Sequence, residues 1–83
     1  MNHQNKILKT LTAVIKKFFK KEELLITLNT TAIDIEEWDS LNHMELIRAI
    51  EFEFKIEFEF FEVMDFENIG GLVKSIQQKM YTT

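Results

Sequence analysis

The chain has no cysteine and no proline, and its only two glycines are neighbours, Gly70 and Gly71. Without cysteine there is no disulfide framework, no thiolate zinc cluster and no thiol nucleophile, and the composition suits a reducing compartment. Any thiol chemistry would need a sulfur brought in by a cofactor. Without a glycine-rich loop, no oxyanion-hole loop sits beside a nucleophile. The same shortage, with the missing closing glutamate, excludes an EF-hand at Asp34, Glu36 and Asp39. No apolar run approaches the ~20 residues of a membrane span, so no stable insertion is expected. Residues 1–21 lack an acid, a continuous apolar run and a small-residue cleavage site. No secretory signal reads from them, and the expected location is the cytoplasm.

What is present is a chain of 83 residues, expected to form one domain over 1–83 with loose ends at about 1–3 and 81–83. A chain this short buries near 60% of its unfolded surface, so every apolar face is needed. Charge is segregated. Residues 1–21 hold six lysines and no acid, whereas residues 22–67 hold all fourteen Asp and Glu against Arg48 and Lys55, a balance of −12. That block argues against nucleic acid as a partner and favours enzymes with basic docking surfaces. The competing reading is that the acids only keep a small protein soluble.

Apolar periodicity predicts helices. Ile7, Leu8, Leu11, Val14, Ile15, Phe18 and Phe19 form one stripe over residues 3–20. A basic amphipathic helix of this kind could also lie on a membrane, but so short a chain needs the stripe as core. Glu22-Glu23 would oppose the helix dipole, placing the end near Lys20 or Lys21. Residues 21–39 read as a long connection pinned by Leu24, Leu25, Ile26 and Leu28, with a short helical turn near Thr31–Ile35. Leu46, Ile47, Ile50 and Phe54 predict a central helix over residues 40–54, entered through Asp39 and Ser40, both good N-cap types.

Residues 51–60 are ambiguous. Phe52, Phe54, Ile56, Phe58 and Phe60 alternate with charged residues as in a half-buried strand. No comparable strand is available to pair with it, so the helix is expected to end near Phe54. A loop over Ile56–Phe58 and a short third helix over Phe60–Asp65 then follow. Asn68 caps a last helix carrying Ile69, Leu72, Val73, Ile76 and Met80. Gly70-Gly71 predicts close approach to a neighbouring helix. The fold class is therefore all-α: a four-helix bundle with three longer helices, a short third one, and a long loop between the first two.

The segment Asp39-Ser40-Leu41, the following Met44-Glu45-Leu46-Ile47, Phe54-Lys55-Ile56-Glu57-Phe58, and Phe66-Glu67-Asn68-Ile69 leading into Leu72-Val73-Lys74-Ser75-Ile76 lie in an order that resembles the acyl carrier protein family over nearly the whole length. The resemblance implies a carrier, not an enzyme. A 4′-phosphopantetheine arm from coenzyme A would be attached to Ser40 by a phosphopantetheinyl transferase. Asp39 and Leu41 would flank the arm, with Asp39 engaging the transferase and its metal ion. Leu41, Met44, Glu45 and Glu51 would meet partner enzymes, although Met44 reads equally as core. Phe58, Val63, Phe66 and Ile76 would line any acyl cavity. The cargo would be an acyl or related group of fatty-acid, polyketide or other biosynthesis, on a monomeric carrier.

Departures from the family pattern are Asn42 where an acid is common, Trp38 where a small residue is common, Glu59 in place of proline, and Phe60-Phe61 in place of polar residues. Trp38 and the added aromatics point toward a specialised pathway. Two rival readings remain. One is an acidic helical interaction module without a prosthetic group, in which Asp39-Ser40 is only a helix cap. The other is a hydrolase pairing Ser40 with His43, which lacks a third orienting group. Otherwise His43 reads as a surface residue.

Overall fold

The fold, obtained as a computed structural model, describes residues 3–64 and 68–81. Among the described residues four helices follow one another: α1 His3–Phe19, α2 His43–Phe54, α3 Phe60–Met64 and α4 Ile69–Tyr81, with a 3-10 turn at Ala32–Asp34. Among the described residues there is no strand. The alternating stretch resolves as the last turn of α2 up to Phe54, a loop over 55–59 and the start of α3 at Phe60. α2 is helical there because Leu46, Ile47 and Ile50 are buried on one face of it. That face leaves Phe52 outside at 85% exposure. Asp65 and Phe66, expected in the third helix and the cavity lining, lie outside the described residues.

The core is drawn from every element: Ile7, Leu11 and Ile15 of α1, the α2 trio, Val63 of α3, and Ile69, Leu72, Val73 and Ile76 of α4. Each such side chain contributes roughly 1.5–3 kcal/mol on leaving water. The long loop adds Ile26, Ile35 and Trp38, while Leu25 points outward against expectation. Met80, expected on the apolar stripe of α4, is 40% exposed. α1 packs on α4 and α2, and α3 packs on α4. The Lys79 ammonium of α4 pairs with Glu62 of α3 at 2.8 Å. Burial pushes the Glu62 carboxyl up, but the Lys79 hydrogen bond, the Glu59 N–H and the Lys79 charge together hold it below its ordinary value.

Both α1 and α2 end on a left-handed lysine, Lys20 and Lys55, each at φ 58°. The following N–H groups, of Lys21 and Ile56, reach back to the carbonyls of Lys16 and Glu51 and satisfy the exposed helix ends. α4 begins differently. Asn68 Oδ1 accepts the Gly71 N–H at 3.0 Å, as an N-cap should. The Ile69 and Gly70 N–H groups donate to loop carbonyls, Thr30 and Leu28, both at 2.7 Å. The close approach at Gly70 is thus to this loop, not to a helix. A β-carbon at Gly70 would stand 3.0 Å from the Leu28 carbonyl oxygen. Gly70→Ala therefore should not show the ~1 kcal/mol gain that helix propensity promises. We expect a loss of about 1 kcal/mol, read from the denaturation midpoint, because the loop must shift and weaken two helix-capping bonds. A stabilised variant would show the loop to be compliant.

Candidate functional site at Ser40

The regular turns of α2 begin at His43, not Ser40. Residues 40–42 form a capped turn leading into it, with the His43 N–H bonded to the Asp39 carbonyl at 3.0 Å. Asp39 Oδ1 accepts the N–H groups of Leu41 and Asn42, at 3.0 and 3.1 Å. Asn42 returns the favour by accepting the Asp39 N–H at 3.0 Å. Asp39 and Asn42 thus cap each other reciprocally, and Ser40 sits on the outside of the turn they hold. Ser40 is exposed, and its hydroxyl makes no hydrogen bond to a described residue. It stands at the positive end of α2, where the helix dipole favours an anionic ester.

Asn42, read from sequence as the loss of an acid, has a structural task. Its Nδ2 donates to the Glu37 carbonyl at 2.6 Å while its Oδ1 accepts from Asp39. The carboxamide offers a donor and an acceptor at once, which a carboxylate does not. Asn42→Asp would turn a carboxylate oxygen toward that carbonyl. It should lower stability by about 1–2 kcal/mol, measured by urea denaturation near neutral pH. An unchanged midpoint would mean that the Glu37 contact is dispensable.

His43 is not the surface residue expected. Its Nδ1 accepts the Trp38 indole N–H at 3.0 Å, its Nε2 lies 2.8 Å from the Val63 carbonyl oxygen, and its ring stacks on Trp38. An indole N–H can only donate and a carbonyl can only accept, so the imidazole is the Nε2–H tautomer. Both nitrogens are engaged away from Ser40, and the hydrolase pairing of Ser40 with His43 has no base. Trp38, 5% exposed and also packed near Phe19, is a core residue that ties the loop to α2. Its size is explained by packing, which removes it as a marker of pathway.

Beside Ser40 runs a cleft of about 450 Å³, floored by Trp38, His43 and Val63 and walled by Ile33, Met44 and Met64. Of the expected cavity residues that the structure describes, only Val63 reaches it. Ile76 is completely buried in the core, and Phe58 packs against the core's edge. Leu41 is 88% exposed and Met44 40% exposed on the serine side, and Glu45 is exposed. Glu51 is partly withdrawn, because one carboxylate oxygen accepts the Phe58 N–H at 2.8 Å and anchors the loop after α2. Sequence reasoning missed the Trp38–His43–Val63 bridge. No local signal could reveal it, since Val63 is 20 residues from His43.

The bundle turns the exposed Ser40 outward at the entrance of its second helix, and its fold is that of a carrier domain. In its backbone it is similar to a holo acyl carrier protein from Geobacter metallireducens, solved in solution by NMR, at 35% identity and a TM-score of 0.83. The match covers 89% of this chain and 85% of that one. The chain belongs to the acyl carrier protein family. No protein-family model and no curated protein matches it.

Proposed function

We propose that the protein carries an acyl or related intermediate as a thioester on a 4′-phosphopantetheine arm joined to Ser40, and delivers it to enzymes of fatty-acid, polyketide or other specialised biosynthesis in the cytoplasm. The observation that carries this reading is the exposed, unbonded Ser40 hydroxyl on a turn held rigid by Asp39 and Asn42. The residues present fit the group. The hydroxyl is reachable, the helix start suits a phosphodiester, and an apolar cleft lies alongside. When attached, the arm supplies the thiol that this cysteine-free chain lacks.

Within this reading the chain's own residues hold and present the site. Asp39 spends one carboxylate oxygen on the cap, and its other oxygen makes no hydrogen bond to a described residue. That oxygen is available to a phosphopantetheinyl transferase and its metal ion. Leu41 and Met44 offer apolar contact to partner enzymes, and Glu45 a flanking charge. The carrier gains rate for its pathway by tethering, which raises the local concentration of cargo at each enzyme. The experiment is intact-mass measurement after incubation with coenzyme A and a broad-specificity transferase. The wild-type chain is expected to gain one arm. No gain, under conditions that load a control carrier, would overturn the reading in favour of an interaction module without a prosthetic group.

A further inference from the structure

Outside the Ser40 cleft, α1 carries a feature that the carrier reading does not use. Lys6, Lys9, Lys16 and Lys17 of α1, with Lys20 just beyond its end, fall within an arc of about 100° on the helix wheel. That arc lies opposite Ile7, Leu11 and Ile15, which are buried in the core. Lys6, Lys9, Lys17 and Lys20 are exposed and Lys16 is half-exposed. Lys21 and Lys79 are paired with Glu37 and Glu62, but these five lysines form no ion pair with a described residue. Neither α1 nor α4, packed on each other, contains an Asp or Glu. The nearest acid along the chain is Glu22, at the rim of a depression it shares with Ala13, Lys16, Lys17 and Lys20. None of these residues belongs to the cleft at Ser40.

The chemistry of the stripe narrows its partner. Among the described residues no exposed large apolar side chain lies on it, since those are on the loop, α2, α3 and the end of α4. Protein interfaces are depleted in lysine and depend on buried aromatic, apolar or arginine anchors. The stripe has no arginine for bidentate phosphate recognition and no aromatic for base stacking. Five cations in line, roughly 17 Å from Lys6 to Lys17, instead match a diffuse, flat negative surface. The acids do not prevent this. Glu22 borders the stripe at Lys20 and Glu37 is paired with Lys21, while acids farther than the ~8–10 Å Debye length of physiological salt are screened from it.

We propose that the lysine stripe of α1 is a docking face for anionic lipid bilayers, on which the protein lies by electrostatic adsorption without insertion, leaving the Ser40 cleft open. The apolar face of α1 stays in the core, so the attraction comes from lysine alone, and high salt abolishes it. This inference does not depend on the arm. The test is co-sedimentation of the full chain with phosphatidylcholine vesicles with and without about one third phosphatidylserine, at low and physiological salt. Binding is expected to the anionic vesicles only. At ~1 kcal/mol for each lysine near the surface, K6Q/K9Q/K17Q should weaken the partition coefficient on the order of a hundredfold. Glutamine matches lysine in helix propensity, so helicity is expected to be kept, and the variant should still accept the arm on Ser40. Equal binding to neutral vesicles, no binding at low salt, or wild-type binding by the triple variant would each overturn the proposal. So would displacement from vesicles by duplex DNA at equal charge, or salt-sensitive self-association that accounts for the pelleting.

Discussion

Ser40→Ala is expected to keep its apo mass under conditions in which the wild-type chain is fully converted to a form one phosphopantetheine heavier. The effect is all-or-none because the step needs one atom, the Ser40 oxygen, to form the phosphoester while the nucleotide portion of coenzyme A leaves. The substitution should be silent in every other respect. Ser40 is exposed and lends its hydroxyl to no described residue. The turn around it is held by Asp39 and Asn42, which the change does not touch. Helicity and the denaturation midpoint should therefore match the wild type to within ~0.5 kcal/mol, as for surface substitutions generally. A variant that still gains the full mass would place the attachment on another hydroxyl. A variant that unfolds would mean that Ser40 is part of the cap, contrary to the geometry described above.

Trp38→Ala should be the most damaging single change to the fold. The indole is 5% exposed, lies 6.3 Å from the Phe19 ring and stacks on His43 at 5.9 Å. Truncating a buried tryptophan costs roughly 3–5 kcal/mol. A domain of this length has on the order of 4–12 kcal/mol in total. Urea denaturation followed by far-UV circular dichroism is the proper readout, because Trp38 is the only tryptophan and its removal abolishes the fluorescence probe. Trp38→Phe separates the two contributions of the residue. It keeps most of the packing but leaves His43 Nδ1 without its donor, and should cost about 1–3 kcal/mol. A loss below ~1 kcal/mol for Trp38→Ala would mean that the loop is not secured through this ring.

These two residues mark how far local pattern reaches. The helix entrance at Asp39-Ser40 is legible because a short cap signal precedes a helix whose apolar residues repeat every three or four positions, and both depend only on neighbours in sequence; a role for Ser40 beyond the cap comes from the family resemblance. The α1 stripe, the α2 trio and the Asn68 cap were legible for the same reason. Helix ends were harder. α1 and α2 stop on left-handed Lys20 and Lys55, which carry none of the glycine or asparagine that usually marks such a position. The pattern sets the start of α2 three residues early, because a capped turn and a first helical turn have the same sequence signature.

The sequence by itself determined three helical apolar periodicities, the division of charge between the first 21 residues and the rest, the absence of an internal thiol, and the serine at a helix entrance. Each follows from residue type and spacing along the chain. Only the tertiary structure decided that Trp38 belongs to the core, that His43 spans from the loop to α3, that Gly70 receives the Leu28 carbonyl, and that Glu51 anchors Phe58. Each of these joins groups distant in sequence or fixes which way a side chain turns, and such contacts exist only once the helices have packed against one another.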